Sequence, residues 1–372
     1  MPSRYEIPFL PIPFDLETKP VLKQLAKSHQ KLAELKGIAQ TIPNEKILIN
    51  TLMLQEARDS SSVENIITTQ DDIYKADLEF NDAVLPAAVK EVRNYREALW
   101  LGYELVKKYG LLTNNHLISI QNVLKNTDSG FRSIPGTTLK GDNGAIIYEP
   151  PQDHAMIVEL MDNLENFINT DDMSDLDPLV KMTIIHHQFE SIHPFLDGNG
   201  RTGRILNVLY LVLHDLLDYP ILYLSRYITR NKGEYYSLIQ AVRDVKGDNR
   251  KEWEAWIIFM LRGIEETSEE TIALVKSISN LMSNYKNVLR PLFGKKYKHE
   301  LLNNLFFHPY TKIEFMQKDM MVNRDTAAKY LDDIVKEGLL EKQRIGRDNY
   351  YINTALMNLF LEREWLNNGR YA

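Results

Sequence analysis

The sequence predicts a mainly α-helical protein with one small β-hairpin in its middle and a separate helix-and-ribbon module at its end. Three observations carry this. Apolar residues recur at helical spacing across residues 20–110, 177–190, 204–217 and 253–291. One glycine-rich segment, 131–151, interrupts that pattern with β-branched and apolar residues on both sides of a turn. Beyond residue 296, two short helical patterns precede two β-rich stretches.

Composition sets limits on function. The chain has 372 residues, of which 44% are hydrophobic and 26% charged, an ordinary globular balance with room for two or three domains. The divisions expected are 1–80, an arm and first helices; 81–266, the core; 267–295, a linking helix; and 296–372, the terminal module. A net charge of −7 gives no general pull toward nucleic acid or anionic membranes. Cysteine is absent, which excludes disulfides, thiol catalysis and cysteine-ligated zinc. No basic segment leads into an apolar run at the N-terminus, and no run of about 18 apolar residues occurs. A cytoplasmic protein without a membrane helix is therefore expected.

Each element follows from local chemistry. Pro8, Pro11 and Pro13 among Phe9, Leu10 and Phe14 predict an extended arm lying on the body. Residues 47–67 read as a helix on which Ser60 and Glu64, four apart, share a face. In the hairpin, Ile134, Thr137, Thr138, Ile146, Ile147 and Tyr148 flank a turn at Gly141-Asp142-Asn143-Gly144. Pro291 is expected to end the long helix that starts near Trp253. The terminal module has helical patterns at 311–318 and 323–337 and a ribbon around 346–349. It resembles a winged helix, with its second helix as candidate recognition element. Lys329, Lys342, Arg344 and Arg347 favour phosphate there, whereas Asp325, Asp332 and Asp333 oppose it, so DNA binding and protein docking stay equally open.

The densest chemistry lies in His193-Pro194-Phe195-Leu196-Asp197-Gly198-Asn199-Gly200-Arg201-Thr202-Gly203-Arg204. The Gly-Asn-Gly turn permits positive φ and can aim successive backbone N–H groups at an anion. An apolar helical pattern follows at once, so the turn opens a helix whose N-terminus attracts phosphate. Arg201 and Arg204 project from nearly one face of its first turn, where two cations oppose the helix dipole unless an anion is bound. Asp197 is suited to a hard metal ion that also takes phosphate oxygens. His193 stands where a helix gives way to a loop before Pro194, and near neutral pH it can accept a proton.

Each residue alone has an ordinary structural explanation; their order and spacing do not. The segment resembles the signature of the Fic (filamentation induced by cAMP) family, H-P-F-x-[DE]-G-N-G-R-x-x-R, at every fixed position. The resemblance implies a Fic-type helical core with a small β-hairpin flap, and transfer of AMP from ATP to a Ser, Thr or Tyr hydroxyl of a target protein with release of pyrophosphate. It makes His193 the general base and Asp197 the Mg²⁺ ligand. Gly198, Asn199, Gly200, Arg201, Thr202, Gly203 and Arg204 become the ATP-binding segment. Tyr235 and Tyr236 fall where relatives contact adenine or ribose. Where some relatives have a further asparagine, this chain reads Ala241-Val242-Arg243. Ile146, Ile147 and Tyr148 would hold a target strand on the flap. Upstream, Ser60-Ser61-Ser62-Val63-Glu64-Asn65 resembles the family's inhibitory pattern [ST]-x-x-x-E-[GN], in which the glutamate reaches the second motif arginine, here Arg204. Ser60, Glu64 and Asn65 are thus the inhibitory residues. Removal of AMP from the target, self-modification and a homodimer are further expectations.

Two other classes compete. In a metal-dependent hydrolase, His186, His187, His193 and Asp197 would bind the ion, which leaves both arginines without a role. In a nucleotide-sensing transcription regulator, the terminal module would bind DNA.

Overall fold

The structure is a computed structural model and describes residues 5–42, 44–69, 86–141, 144–245, 247–345 and 348–360. In chain order the elements are α1 (Lys19–Ala39), α2 (Glu45–Val63), α3 (Ala87–Tyr109), α4 (Asn114–Lys125), β1 (Leu139–Lys140), β2 (Ile146–Tyr148), α5 (His154–Asn169), α6 (Pro178–Ile192), α7 (Asn199–Leu213), α8 (Leu224–Arg230), α9 (Lys232–Asp244), α10 (Arg250–Phe293), α11 (His299–Phe307), β3 (Tyr310–Thr311), α12 (Ile313–Met320), α13 (Arg324–Lys336), β4 (Glu341–Ile345) and β5 (Asp348–Ile352). The described residues form two compact units. One draws on residues within 5–36, 52–69 and 86–269, the other on residues within 37–51 and 270–360. The fold is mainly helical, as expected.

In the first unit α6 is the central helix. Every residue from Leu179 to Ile192 is buried, the polar Lys181, Thr183, His186, His187, Gln188, Glu190 and Ser191 included. Asp177 caps it, accepting the Leu179 N–H at 2.8 Å, with Pro178 in the first turn. Helix α6 packs on α5 and α7, and α3 packs on α4 and α7. The helix expected at 204–217 instead spans Asn199–Leu213. The Gly-Asn-Gly turn is itself helical: Gly198, at φ 79°, is the N-cap and accepts the Thr202 N–H at 2.9 Å. At the other end Leu216 donates back to the Leu211 carbonyl at 2.9 Å, so Leu217 is buried as part of a cap and not as helix.

The N-terminal arm is extended along this unit. Leu10 is buried and exchanges hydrogen bonds with the Asn163 amide at 2.7 and 2.9 Å. Phe9, expected to be buried, is 47% exposed, because extended backbone sends neighbouring side chains to opposite sides. Strands β1 and β2 form the expected hairpin, pairing Leu139 with Tyr148; its turn residues Asp142 and Asn143 lie outside the described residues.

In the second unit α11, α12 and α13 pack around Leu301, Leu305, Phe306, Met316, Leu331 and Ile334. The sheet order is β3-β5-β4. Thr311, expected to start a helix, instead lies with Tyr310 in β3 and pairs with β5. Pro291 does not end α10, which runs on to Phe293. Lys342, a candidate phosphate contact, is paired with Asp332 at 2.8 Å; Gly346 and Arg347 lie outside the described residues. No described helix is long and apolar enough to cross a membrane.

Candidate active site

The site is built where α6 ends and α7 begins. His193 terminates α6 in the left-handed region, at φ 51° and ψ 58°. A non-glycine residue there stores roughly 1–3 kcal/mol of strain, which its surroundings must hold. Buried Arg132 does so: its Nε donates to the His193 carbonyl at 2.9 Å, and its backbone N–H donates to the Pro194 carbonyl at 2.8 Å. Its Nη2 reaches the Pro151 carbonyl. Burial lowers the His193 imidazole to about 4, helped by Arg243 and Arg132. At neutral pH the ring is therefore an uncharged proton acceptor. Arg132→Ala is expected to release the turn, costing about 2–3 kcal/mol of stability and at least tenfold in activity. Thermal melting and turnover check this, with partial rescue by Arg132→Lys.

The loop that follows is locked by Asn199, whose side chain exchanges two 2.8 Å hydrogen bonds with the backbone of Phe195. That amide is committed to the loop, so what α7 offers an anion is its first-turn N–H groups, which have no intrahelical partners. Thr202 and Gly203 are buried behind this turn, and Glu190 Oε1 lies against Gly203.

Both motif arginines are buried and each meets a carboxylate. Arg204 donates through Nε to Ser60 Oγ at 2.8 Å, and through Nη2 to the Ser60 carbonyl and to Glu64 Oε1, both at 2.9 Å. Burial works against the Glu64 charge, but Arg204 and then Arg201 hold its carboxyl below the usual range. Glu64 also occupies the mouth of the helix, since a Cβ on Gly200 would sit 2.4 Å from its Oε1. Asn65, at φ 60°, accepts from Lys232 at 3.0 Å and fixes the turn that follows α2. Arg201 pairs with Glu91 of α3. Glu91 also meets Lys125 at 3.1 Å, and Lys125 meets Asp197 at 2.7 Å. Neither Glu91 nor Lys125 was readable as a site residue, because their helices lie far from the motif in sequence.

The part of α2 against this site is unusually polar: Gln55, Glu56, Asp59, Ser60 and Ser61 are all buried. Glu56 accepts from Tyr95 at 3.0 Å and from Ser225, and Asp59 accepts from Arg226 at 3.0 Å.

Asp197 keeps a largely exposed side chain and accepts the Gly198 N–H at 2.7 Å. Among the described residues no group of three or more His, Asp or Glu gathers in metal-binding geometry. Magnesium commonly takes one or two carboxylates together with water and substrate phosphates, and a single exposed carboxylate beside an anion site fits that mode. The hydrolase arrangement does not fit. His186 is held by Tyr235 at 2.8 Å and Asn207 at 3.0 Å, and His187 by the Ile239 carbonyl at 3.2 Å. Burial lowers His186 to about 3 and His187 further below its normal value, and neither shares a metal position with His193.

Of the aromatic pair, Tyr235 is buried with its hydroxyl on His186, and only Tyr236 reaches the surface, at 39% exposure. On the hairpin, Ile146 and Ile147 are exposed, but Tyr148 is buried and its hydroxyl donates to the Ser191 carbonyl at 2.8 Å. Its side chain anchors the flap and does not face outward for a target.

Glu190 was missed by the sequence reading. It is buried one helical turn before His193, and its Oε1 has no hydrogen-bond partner among the described residues. Burial raises its carboxyl to about 7, with Glu64 adding and Arg204 and Arg243 opposing. A raised carboxyl favours the neutral folded form, so its contribution is full below about 4.5 and is lost as pH rises through about 7. Glu190→Gln should therefore melt higher than the parent above pH 7, by up to about 2–3 kcal/mol, and alike at pH 4.

Three family models match the chain: "Fic/DOC family N-terminal" over residues 22–104, "Fic/DOC family" over 111–211, and "Protein adenylyltransferase SoFic-like, C-terminal domain" over 281–356. The protein adenylyltransferase Fic of Drosophila erecta is 29% identical over 115 residues, 31% of this chain. The match spans 20% of that relative's length. Among solved structures, a Fic family protein from Desulfovibrio desulfuricans aligns with a TM-score of 0.58 at 18% identity, covering 93% of this chain and 98% of that one. A Fic domain containing signaling protein from Bacteroides thetaiotaomicron gives 0.53 at 17% identity, covering 69% and 98%. With its motif on the α6–α7 turn and three consecutive family models along its length, the chain belongs to the Fic/DOC family.

Proposed function

We propose that the chain is a protein adenylyltransferase, moving AMP from ATP to a Ser, Thr or Tyr hydroxyl of a target protein, and that Glu64 restrains it. One observation carries the reading: a carboxylate of the chain itself occupies the anion site at the start of α7, paired with Arg204. A buried arginine at a helix N-terminus is unfavourable without an anion, and Glu64 stands in for one.

In the reaction, the first-turn N–H groups of α7 and the two arginines hold the triphosphate, with Asp197 as the residue for Mg²⁺. The ion would supply charge neutralisation on the phosphates. His193 takes the hydroxyl proton as the hydroxyl oxygen attacks the α-phosphorus. The bond to the β-phosphate oxygen breaks and pyrophosphate leaves. The negative triphosphate raises the imidazole from its low starting value, which strengthens it as a base when substrate is present. The exposed Ile146 and Ile147 are the flap positions for a target strand, while Tyr236 is the member of the aromatic pair available to the nucleotide.

The test is incubation with ATP labelled on the α-phosphate. Protein-bound label in Glu64→Gly, absent from Glu64→Gly/His193→Ala, supports transfer. Label released only as free AMP, with no protein labelled, overturns it in favour of hydrolysis.

A further inference from the structure

A cavity of about 450 Å³ lies away from the motif residues, lined by Tyr5, Pro8, Phe14, Arg243, Asn249 and Trp253 among others. None of the motif residues, Tyr235 or Tyr236 contributes to its wall. The volume is in the range of small-molecule sites.

Arg243 gives the cavity its chemistry. It is only 4% exposed. Its Nε donates to Ser191 Oγ at 3.0 Å and its guanidinium lies 4.1 Å from the centre of the Tyr148 ring. Among the described residues no carboxylate comes within ion-pair distance of it. A buried cation with no carboxylate in direct contact is costly: burial opposes its charge, and Glu190 favours it only from further off. Beside it stands a second unsatisfied group. The Tyr5 hydroxyl is buried without a hydrogen-bond partner among the described residues, and is close enough to Arg243 for the two to interact electrostatically. The remaining wall mixes the rings of Phe14 and Trp253, Ile12 and two prolines with the polar Asn249. Glu6 is at the exposed rim and repels a second negative charge.

We infer that this cavity binds a small organic anion with one carboxylate or phosphate group and a flat apolar body. The anionic group would meet Arg243 and the Tyr5 hydroxyl, and the ring would lie between Phe14 and Trp253. The site stands independently of the AMP-transfer reading. Arg243 touches both Ser191, two residues before His193, and the flap anchor Tyr148, so the occupant would sit against the supports of both.

Calorimetric titration of the full chain with benzoate, phenyl phosphate and the uncharged benzamide tests this. At least one anion should bind about tenfold or more tightly than benzamide, and Arg243→Met should remove that preference. The anion that wins distinguishes carboxylate from phosphate as the natural group. Ile12→Trp, which fills the cavity from a partly exposed position on the arm, should weaken the same anion at least tenfold. That variant also keeps the test open if Arg243→Met does not fold. Equal binding of benzamide, no anion binding, or binding unchanged in Ile12→Trp, as for an anion held instead at the start of α7, overturns the inference.

Discussion

Glu64→Gly is expected to raise AMP transfer by about 10–100-fold, the gain of one charge-assisted contact returned to the nucleotide. The argument starts from geometry. Arg204 has three donor contacts to two residues of α2 and its turn: two to Ser60 and one to Glu64. Only Glu64 carries charge and only Glu64 stands at the mouth of α7, against Gly200. Removing that carboxylate leaves Arg204 held in position by Ser60 but without a counter-ion, so a phosphate can take the vacated place. The empty variant should melt lower, by about 1–3 kcal/mol for an unpaired buried donor, and saturating MgATP should restore more stability to it than to the parent. Glu64→Gln separates charge from bulk. It keeps the volume at Gly200 and loses the ion pair, so its rate should fall between parent and Glu64→Gly. A rate in Glu64→Gly equal to or below the parent's, with ATP still bound, would remove autoinhibition from the reading.

Under the proposed restraint, release depends on the composition of α2. A helix that docked through leucine and isoleucine alone would come away only at the cost of exposing apolar surface. Here the buried residues of α2 are mixed: Leu52, Met53, Leu54 and Ala57 stand beside Gln55, Glu56, Asp59, Ser60 and Ser61, and the partners of the polar set can be exchanged for water. Burial raises the Glu56 carboxyl to about 8, with Ser225 and Tyr95 opposing the shift. It is therefore neutral or nearly so at physiological pH. The polar part of such an interface gives specificity of register, and the apolar part gives adhesion.

The sequence was legible where local chemistry decides. Asp177 and Asn323 were readable at helix starts because a short acceptor side chain satisfies a first-turn N–H, and both do so, at 2.8 and 2.9 Å. The pairing of Glu64 with Arg204 was legible as well, because the family pattern names both partners. It failed where a long-range contact decides. Arg132 looks like one basic residue in a glycine-rich loop, yet it holds the backbone of His193, 61 positions away. Glu190 looks like the polar end of a helix, yet packing from several sides buries it. Glu91 and Lys125 stand on separate helices and meet only because α3 and α4 pack together beside α7. Tyr148 and Tyr235 were expected to meet a target strand and the nucleotide, but both are buried, with their hydroxyls on Ser191 and His186. Aromatic residues on short elements give no sequence sign of which side faces the core.

His193→Ala is expected to lower transfer by about 10²–10⁴-fold, the usual contribution of a positioned general base. The measurement belongs in the Glu64→Gly background, where the starting rate is high enough for the loss to be read. ATP affinity should stay within about twofold, because the nucleotide contacts are on α7 and the imidazole terminates α6. The pH profile gives a second readout that a purely structural histidine would not affect. Burial, Arg243 and Arg132 hold the free ring near 4, so kcat/KM should stay flat from pH 8 to about pH 6, where an ordinary imidazole would already be half protonated. With ATP bound, the phosphates favour the imidazolium, so the acid limb of kcat should lie at higher pH than that of kcat/KM. Glu190 titrates near 7, inside the same window, and sits one turn away. Recording both profiles in Glu190→Gln removes that overlap: a limb that persists belongs to His193, and one that vanishes belonged to Glu190. Transfer by His193→Ala at the parental rate, with both profiles unchanged, would transfer the base role to another group or to water.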